Sequence, residues 1–157
     1  MTIGRRPVRS RVWAHRREIL LLAEAVRELA LAAVTLKLRP FARVARDLTR
    51  PAGSAVVGDP DLLSKRVRWA VLAASRRVPW RSVCFDQAIA AQRMLGRRGI
   101  AADLVYGVRK SEQGLDAHVW LRLADGWTVV GGEQAGLFRP IALFRSGQDD
   151  VIVPPED

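Results

Sequence analysis

Apolar residues in the first half of the chain recur every three or four positions, the spacing of one buried helix face. This spacing predicts a helix over 17–38, and Pro40 separates it from a shorter amphipathic helix over 40–49. The segment 50–60 is rich in glycine and proline and is predicted to be a linker. The first half of the chain is therefore expected to be helical.

Two further helices are predicted after this linker. Asp59 followed by Pro60 is a typical N-cap and first-turn pair, which places a helix over 60–76. Ser82 is the expected N-cap of the next helix, which Gly99 closes.

The pattern then changes to strands. Residues 100–108 form one expected strand, and the alternation of residues 116–123 predicts a second. Asp125-Gly126 is a strong two-residue hairpin signal, so 127–132 is expected to return as a third strand. Residues 134–157 are expected to be loop or short strand, with a Pro-rich acidic tail.

Helices followed by antiparallel strands predict an α+β fold, with a helical N-terminal half packed on a core that carries a small antiparallel sheet. We divide the chain into an Arg-rich helical region, 1–55, and a core, 56–157, which together are expected to form one compact unit. The most apolar stretch, 19–36, contains three charged residues, which argues against a membrane span.

The net charge of +10 is concentrated in residues 1–50, which hold 12 Lys/Arg against 4 Asp/Glu. Such a half could bind nucleic acid, an anionic membrane surface or an acidic partner, or it could be a solvated Arg-rich face. Few aromatic residues that could stack on bases lie among the arginines and no nucleic-acid motif is present, so nucleic acid is not expected as a partner. Peripheral membrane contact remains open.

Cys84 is the only cysteine, which excludes an internal disulfide and fits a reducing compartment, so we expect a cytoplasmic protein. Too few His and Cys are present for a soft-metal site, and no metal is expected. Cys84 falls in the first turn of its helix, where unpaired N–H groups stabilise a thiolate. A catalytic nucleophile and a buried structural cysteine are both compatible with this position.

The chain has two histidines, His15 in the basic region and His118 in an alternating strand. A helix-start cysteine and a strand histidine can form a thiolate–imidazolium pair, although a lone strand histidine is often structural. If Asp125 and Gly126 are the turn residues, the hairpin places His118 opposite Glu133, whose carboxylate would orient the imidazole. A bulge would shift this register, and Glu133 would then be a solvated loop residue.

The segments CFDQAIAAQRMLGRRGIAADLVYGVRK and AHVWLRLADGWTVVGG resemble those of the lasso-peptide biosynthesis B2 proteins. These proteins are leader peptidases of the microcin-J25-processing type within the transglutaminase-like superfamily. The matching pieces are Cys84 at the helix start, LGRRGI at 95–100, YGVR at 106–109 and AHVW at 117–120. The resemblance covers residues 61–145, and LRPF at 38–41 is similar as well.

The resemblance implies a papain/transglutaminase-like core with a Cys-His-Asp triad. It implies a bacterial cysteine protease without a cofactor that removes the leader from a ribosomally made precursor peptide. A B1 protein would bind the leader, and an ATP-dependent lasso cyclase would close the ring. In the superfamily the triad acid lies where this chain has Gly131, so Glu133, on the same strand face, is the expected substitute. Asp125 is a second candidate acid, and a Cys-His dyad is the alternative.

In the expected mechanism, Cys84 attacks the carbonyl at the leader–core junction and His118 protonates the leaving amine. Trp120 and Trp80 are candidate walls of the substrate cleft, and Gln87 is a candidate for its mouth; packing or surface positions are the alternatives. Two other functions remain open. One is an amidase or acyltransferase with the same thioester, and the other is a non-catalytic basic adaptor with a structural cysteine.

Overall fold

The computed structural model describes residues 8–53 and 58–147. In chain order its elements are α1 Val8–Leu38, α2 Phe41–Leu48, α3 Pro60–Ser75, α4 Cys84–Gly96, β1 Ala102–Ser111, β2 Gly114–Leu123, β3 Thr128–Val130, α5 Gly132–Ala135 and β4 Arg139–Phe144. The strands form one antiparallel sheet in the order β3-β2-β1-β4. The predicted α+β fold, with helices first and a small antiparallel sheet after them, is confirmed.

The predicted helices form where the apolar spacing places them, with differences at their ends. Helix α1 starts at Val8, earlier than predicted, and buries a stripe of small and aliphatic side chains: Leu21, Ala25, Leu29 and Ala32. Helix α3 has the predicted cap, because Oδ1 of Asp59 accepts a hydrogen bond from the backbone N–H of Asp61 at 3.0 Å. The predicted linker is described only at its ends, since residues 54–57 lie outside the described ranges.

Two hairpins and an added strand complete the sheet. Ser111 pairs with Gly114, so Glu112 and Gln113 form a tight turn between β1 and β2 that the sequence analysis missed. Strand β4 pairs with β1 and provides the short strand that was expected after residue 134, whereas residues 148–157 lie outside the described part.

The β2–β3 turn has three residues instead of the predicted two. The backbone N–H of Leu123 donates to the carbonyl oxygen of Trp127 at 2.9 Å, and Gly126 adopts φ +89°. Arg122 therefore pairs with Thr128, one residue earlier than a two-residue turn would place its partner. A bulge follows between Arg122 and Leu121, and Leu121 then pairs with Val130. At Leu121 the bulge restores the pairing expected from a two-residue turn, but β3 ends at Val130, so no further pair forms.

The inner face of the sheet packs against the helices, as predicted from the alternation of β2. Val119, Leu121 and Leu123 belong to one buried core that also contains residues of α1 to α4. The outer face carries a second, smaller cluster formed by Val105, Trp120, Phe138 and Leu143. The division into regions 1–55 and 56–157 stays a prediction, although the inner core includes side chains from both.

Ion pairs join α1 to the end of α4. Both carboxylate oxygens of Glu24 accept hydrogen bonds, Oε1 from Arg97 at 2.7 Å and Oε2 from Arg98 at 2.6 Å. Glu28 is only 2% exposed and contacts Arg97 at 3.2 Å. Burial alone would raise the pKa of Glu24, but the hydrogen bonds from Arg98 and Arg97 outweigh burial and lower it below the usual glutamate value.

None of the described helices is both long and apolar enough to cross a membrane.

We expect Glu24→Gln to lower the free energy of unfolding at neutral pH by about 2 kcal/mol, because two arginines lose a charged acceptor. A lowered folded-state pKa means that Glu24 stabilises the fold fully above the unfolded-state pKa and loses this effect as pH falls through the folded-state value. The difference between wild type and variant should therefore shrink in acid, as measured by urea denaturation. Glu18→Gln, at an exposed position of α1, is the control; equal stability of the two variants would contradict the assignment.

Candidate active site

Cys84 is the first residue of α4, so its predicted position in the first helical turn is confirmed. The residue is half-buried. The predicted cap by Ser82 is wrong, because the N-cap residue is Val83, in an extended conformation. Valine has no side-chain acceptor and cannot cap the helix. A residue of the helix itself does so instead, because Oδ2 of Asp86 accepts a hydrogen bond from the backbone N–H of Val83 at 3.2 Å. The thiol therefore lies at a helix start whose cap is held by a carboxylate one turn further on.

Asp86 is the residue of this region that the sequence analysis missed. Its side chain is buried, with 4% of the residue exposed. Burial raises the pKa of Asp86, while the hydrogen bond from Val83 and the charge of Lys37 act in the opposite direction. The available signal was an acidic residue at the third helical position, which is the reach-back position of a capping box.

His118 lies in β2 and is buried on the outer face of the sheet. Its ring packs beside Trp120, at 6.0 Å between ring centroids, and beside Phe138, at 5.0 Å. The ring nitrogen Nε2 lies 2.7 Å from the carbonyl oxygen of Gly131. A carbonyl can only accept, so Nε2 carries the proton and donates it, and Nδ1 is the nitrogen left for chemistry.

The predicted pairing of His118 with Glu133 is wrong, because β3 ends at Val130 and the chain leaves the ladder at Gly131. Gly131 has φ +78°, and a Cβ there would lie 2.5 Å from the carbonyl oxygen of Val119, so only glycine fits. The sequence analysis treated Gly131 as a missing acid, whereas the structure gives its carbonyl the contact expected of that acid.

Glu133 lies in α5 and is largely exposed. Its Oε1 accepts a hydrogen bond from Arg68 at 2.9 Å. Its own backbone N–H lowers the pKa of Glu133, Arg68 adds to this effect, and the nearby His118 contributes more weakly. Arg68 also donates to the carbonyl oxygen of Val129 at 2.6 Å and so holds the chain on both sides of Gly131. A catalytic role for Glu133 stays a prediction.

Cys84 and His118 lie on different layers of the molecule. Cys84 packs against the inner core, together with Trp80 and Tyr106, whereas the imidazole lies with Trp120 on the outer face. Within the described residues no hydrogen bond joins Sγ of Cys84 to the imidazole. A direct thiol–imidazole pair therefore stays a prediction.

The remaining predicted site residues have definable surroundings. Trp120 stacks beside His118, and Gln87 is half-buried in the first turns of α4. Trp80 is half-buried, and its Nε1 has no hydrogen-bond partner in the described chain; the same is true of the Ser82 hydroxyl. Substrate-binding roles for these residues stay predictions.

Asp125 is engaged in the hairpin turn, where its Oδ1 accepts from the N–H of Trp127 at 2.9 Å.

No group of three or more His, Cys, Asp or Glu side chains that could hold a metal ion occurs in residues 8–53 and 58–147.

A cysteine at a helix start and a histidine on the sheet that this helix packs against are features of thiol-dependent hydrolases and acyltransferases. Residues 19–143 match the Transglutaminase-like superfamily, and the chain belongs to this superfamily, which includes cysteine proteases and acyltransferases. Searches of curated proteins and of solved structures found no significant match.

We expect Gly131→Ala to lower the free energy of unfolding by about 2 kcal/mol or more, because the new Cβ meets backbone and the residue has positive φ. Gly136→Ala is the matched control, since a Cβ there meets nothing within 4 Å and φ is negative. Denaturation of both variants measures the difference, and NMR of the His118 ring reports the loss of its carbonyl contact. Equal stability of the two variants would contradict this account of Gly131.

Proposed function

We propose that this chain is a cysteine peptidase that removes the leader from a ribosomally synthesised lasso precursor peptide. In this proposal it acts in a bacterial cytoplasm with a leader-binding B1 protein and an ATP-dependent cyclase. The observation that carries the peptidase chemistry is the position of the only cysteine, as the first residue of a buried helix in a chain of the Transglutaminase-like superfamily. The lasso substrate is supported by the resemblance of the segments around Cys84 and His118 to B2 proteins.

The direction of α4 supports a common site for thiol and imidazole. Nε2 of Gln92 donates to the carbonyl oxygen of Ala102 at 3.1 Å, which fixes the C-terminal half of α4 at the start of β1. The eight residues back to Cys84 span ~12 Å at a rise of ~1.5 Å each, about the length of four strand residues. A helix antiparallel to β1 therefore brings Cys84 to the level of Tyr106, whose neighbour Gly107 pairs with His118.

The proposal requires Sγ to meet the imidazole at the edge of the sheet. Strand β3 pairs with β2 only at Leu121 and Arg122, so beside His118 no β3 residue continues the ladder. The proposal places the meeting of thiol and imidazole at this edge, beyond the end of β3. Because Nε2 is held by Gly131, the nitrogen presented to the thiol is Nδ1.

The chemistry then proceeds in two steps. The Cys84 thiolate attacks the peptide carbonyl carbon and forms a C–S bond, while the Nδ1–H of the imidazolium passes its proton to the leaving nitrogen as the C–N bond breaks. Water then attacks the thioester and gives a proton to Nδ1, and the C–S bond breaks to restore thiolate and imidazolium. The products are a leader with a new carboxylate and a core peptide with a free amine.

Two polar groups close to Cys84 in sequence lack partners in the described chain and support substrate binding there. Nε1 of Trp80 and Oγ of Ser82 are buried without a hydrogen-bond partner in the described chain. Leaving a buried donor unpaired costs about 1–3 kcal/mol, which a bound carbonyl or oxyanion would offset. Both residues lie within four positions of Cys84, so we assign them to contact with the substrate acyl group.

The decisive experiment incubates the chain with a lasso precursor peptide and its leader-binding protein. Hydrolysis should give two fragments whose summed mass exceeds that of the precursor by one water, and Cys84→Ala should give none. Mass spectrometry with a primary amine added separates the alternative acyltransferase, which would produce a leader amide. An intact precursor in the presence of the partner protein would overturn the peptidase assignment.

A second experiment tests the pairing of the thiol with the imidazole. Because Cys84 is the only cysteine, the rate of iodoacetamide alkylation reports this residue alone. At about pH 6 we expect His118→Gln to slow alkylation by about tenfold or more, because the thiolate loses its counter-ion. His15→Gln removes the other histidine and should leave the rate unchanged. Equal rates for both variants would favour the structural reading of Cys84 in a basic adaptor protein.

A further inference from the structure

A cavity of about 420 Å³ lies between α1, the end of α2 and the C-terminal half of α4, at the end of α4 opposite Cys84. Within the described part of the chain, its charged lining consists of four arginines and one aspartate: Arg39, Asp47, Arg50, Arg93 and Arg97. We call it the arginine pocket. The lining therefore carries an excess of three positive charges, which favours an anionic occupant.

Three of these arginines have close acidic partners. Asp47 accepts from Arg39 at 3.1 Å and contacts Arg50 at 3.0 Å. Arg97 donates to Glu24 at 2.7 Å. The side chains of Arg39 and Arg50 are more than half exposed, so their ion pairs form the rim of the pocket.

Arg93 is the exception. Its side chain is 28% exposed, and its guanidinium makes no hydrogen bond within residues 8–53 and 58–147. Its one carboxylate contact there is Oε2 of Glu28, at 3.9 Å, and Glu28 is already engaged by Arg97. Burial lowers the pKa of Arg93, Glu28 and Asp47 act against this effect, and Arg97 and Arg39 add to it. A partly desolvated guanidinium with unused donors favours an anionic acceptor.

We propose that the arginine pocket binds a carboxylate of an acidic peptide segment, held by two N–H···O bonds from Arg93. The rim arginines would then neutralise neighbouring acidic residues of the same segment. Apolar residues also line the cavity, among them Leu31, Leu48 and Pro51, and they suit the aliphatic part of a peptide. Among the residues that the structure describes, no aromatic side chain lines it, which disfavours a nucleotide base. This site is separate from Cys84 and does not depend on the peptidase chemistry.

Fluorescein-labelled hexaglutamate and hexaglutamine are the probes, and fluorescence anisotropy with the full chain measures binding. We expect hexaglutamate to bind and hexaglutamine not to bind, and Arg93→Gln to raise the Kd by about tenfold or more. Arg122→Gln, on the exposed part of β2, removes the same charge and should change the Kd by less than about twofold. Equal losses in the two variants would show non-specific attraction and overturn the proposal.

The acidic end of the chain is a potential competitor for this site. Residues 148–157 hold four acidic and no basic residues, and they follow Ser146, which lines the pocket. A chain ending at Gln148 therefore belongs in the experiment, and binding by either form supports the site. In NMR titrations of the wild type, the Gln92 side-chain amide and the Gly96 N–H should shift with hexaglutamate. Absence of binding in both forms, or shifts confined to other regions, would overturn the proposal even if the peptidase is confirmed.

Discussion

The enclosure of α4 between α1, α3 and the sheet is the interaction on which the rest of the structure depends. The middle of this helix buries a set of small or aliphatic residues: Ala88, Ile89, Ala90, Ala91, Met94 and Leu95. Alanines let both layers approach the helix axis closely, and burial of this apolar surface drives the packing. The ion pairs of Glu24 with Arg97 and Arg98 then fix the C-terminal end, so the position of Cys84 at the other end follows.

The imidazole of His118 is oriented by a neutral group. A backbone carbonyl fixes the tautomer as a carboxylate would, because it accepts one N–H bond and cannot donate. It provides less stabilisation for an imidazolium, since it carries only a partial negative charge. The nearest full negative charge on this segment belongs to Glu133, which is shared with Arg68. The group that orients the imidazole is therefore not the group that carries the negative charge.

Most of the fold followed from local patterns. The apolar spacing of the helices, the Asp59-Pro60 cap and the alternation of β2 were sufficient, because each is set by neighbours within a few residues. The placement of Cys84 in the first turn of α4 followed in the same way. The details of the site did not follow from local patterns. A three-residue turn with a compensating bulge looks like a two-residue turn in sequence, and the end of β3 depends on the close approach of Gly131 to Val119. The arginine pocket depends on contacts between distant segments, which no local pattern contains.

Arg68 connects the helical layer to the segment that orients the imidazole. It belongs to α3, yet its guanidinium holds the backbone of Val129 and the side chain of Glu133, on either side of Gly131. The carbonyl that aligns His118 is thereby anchored to a helix on the opposite face of the sheet. We therefore expect a displacement of α3 that breaks these two hydrogen bonds to change the orientation of the imidazole.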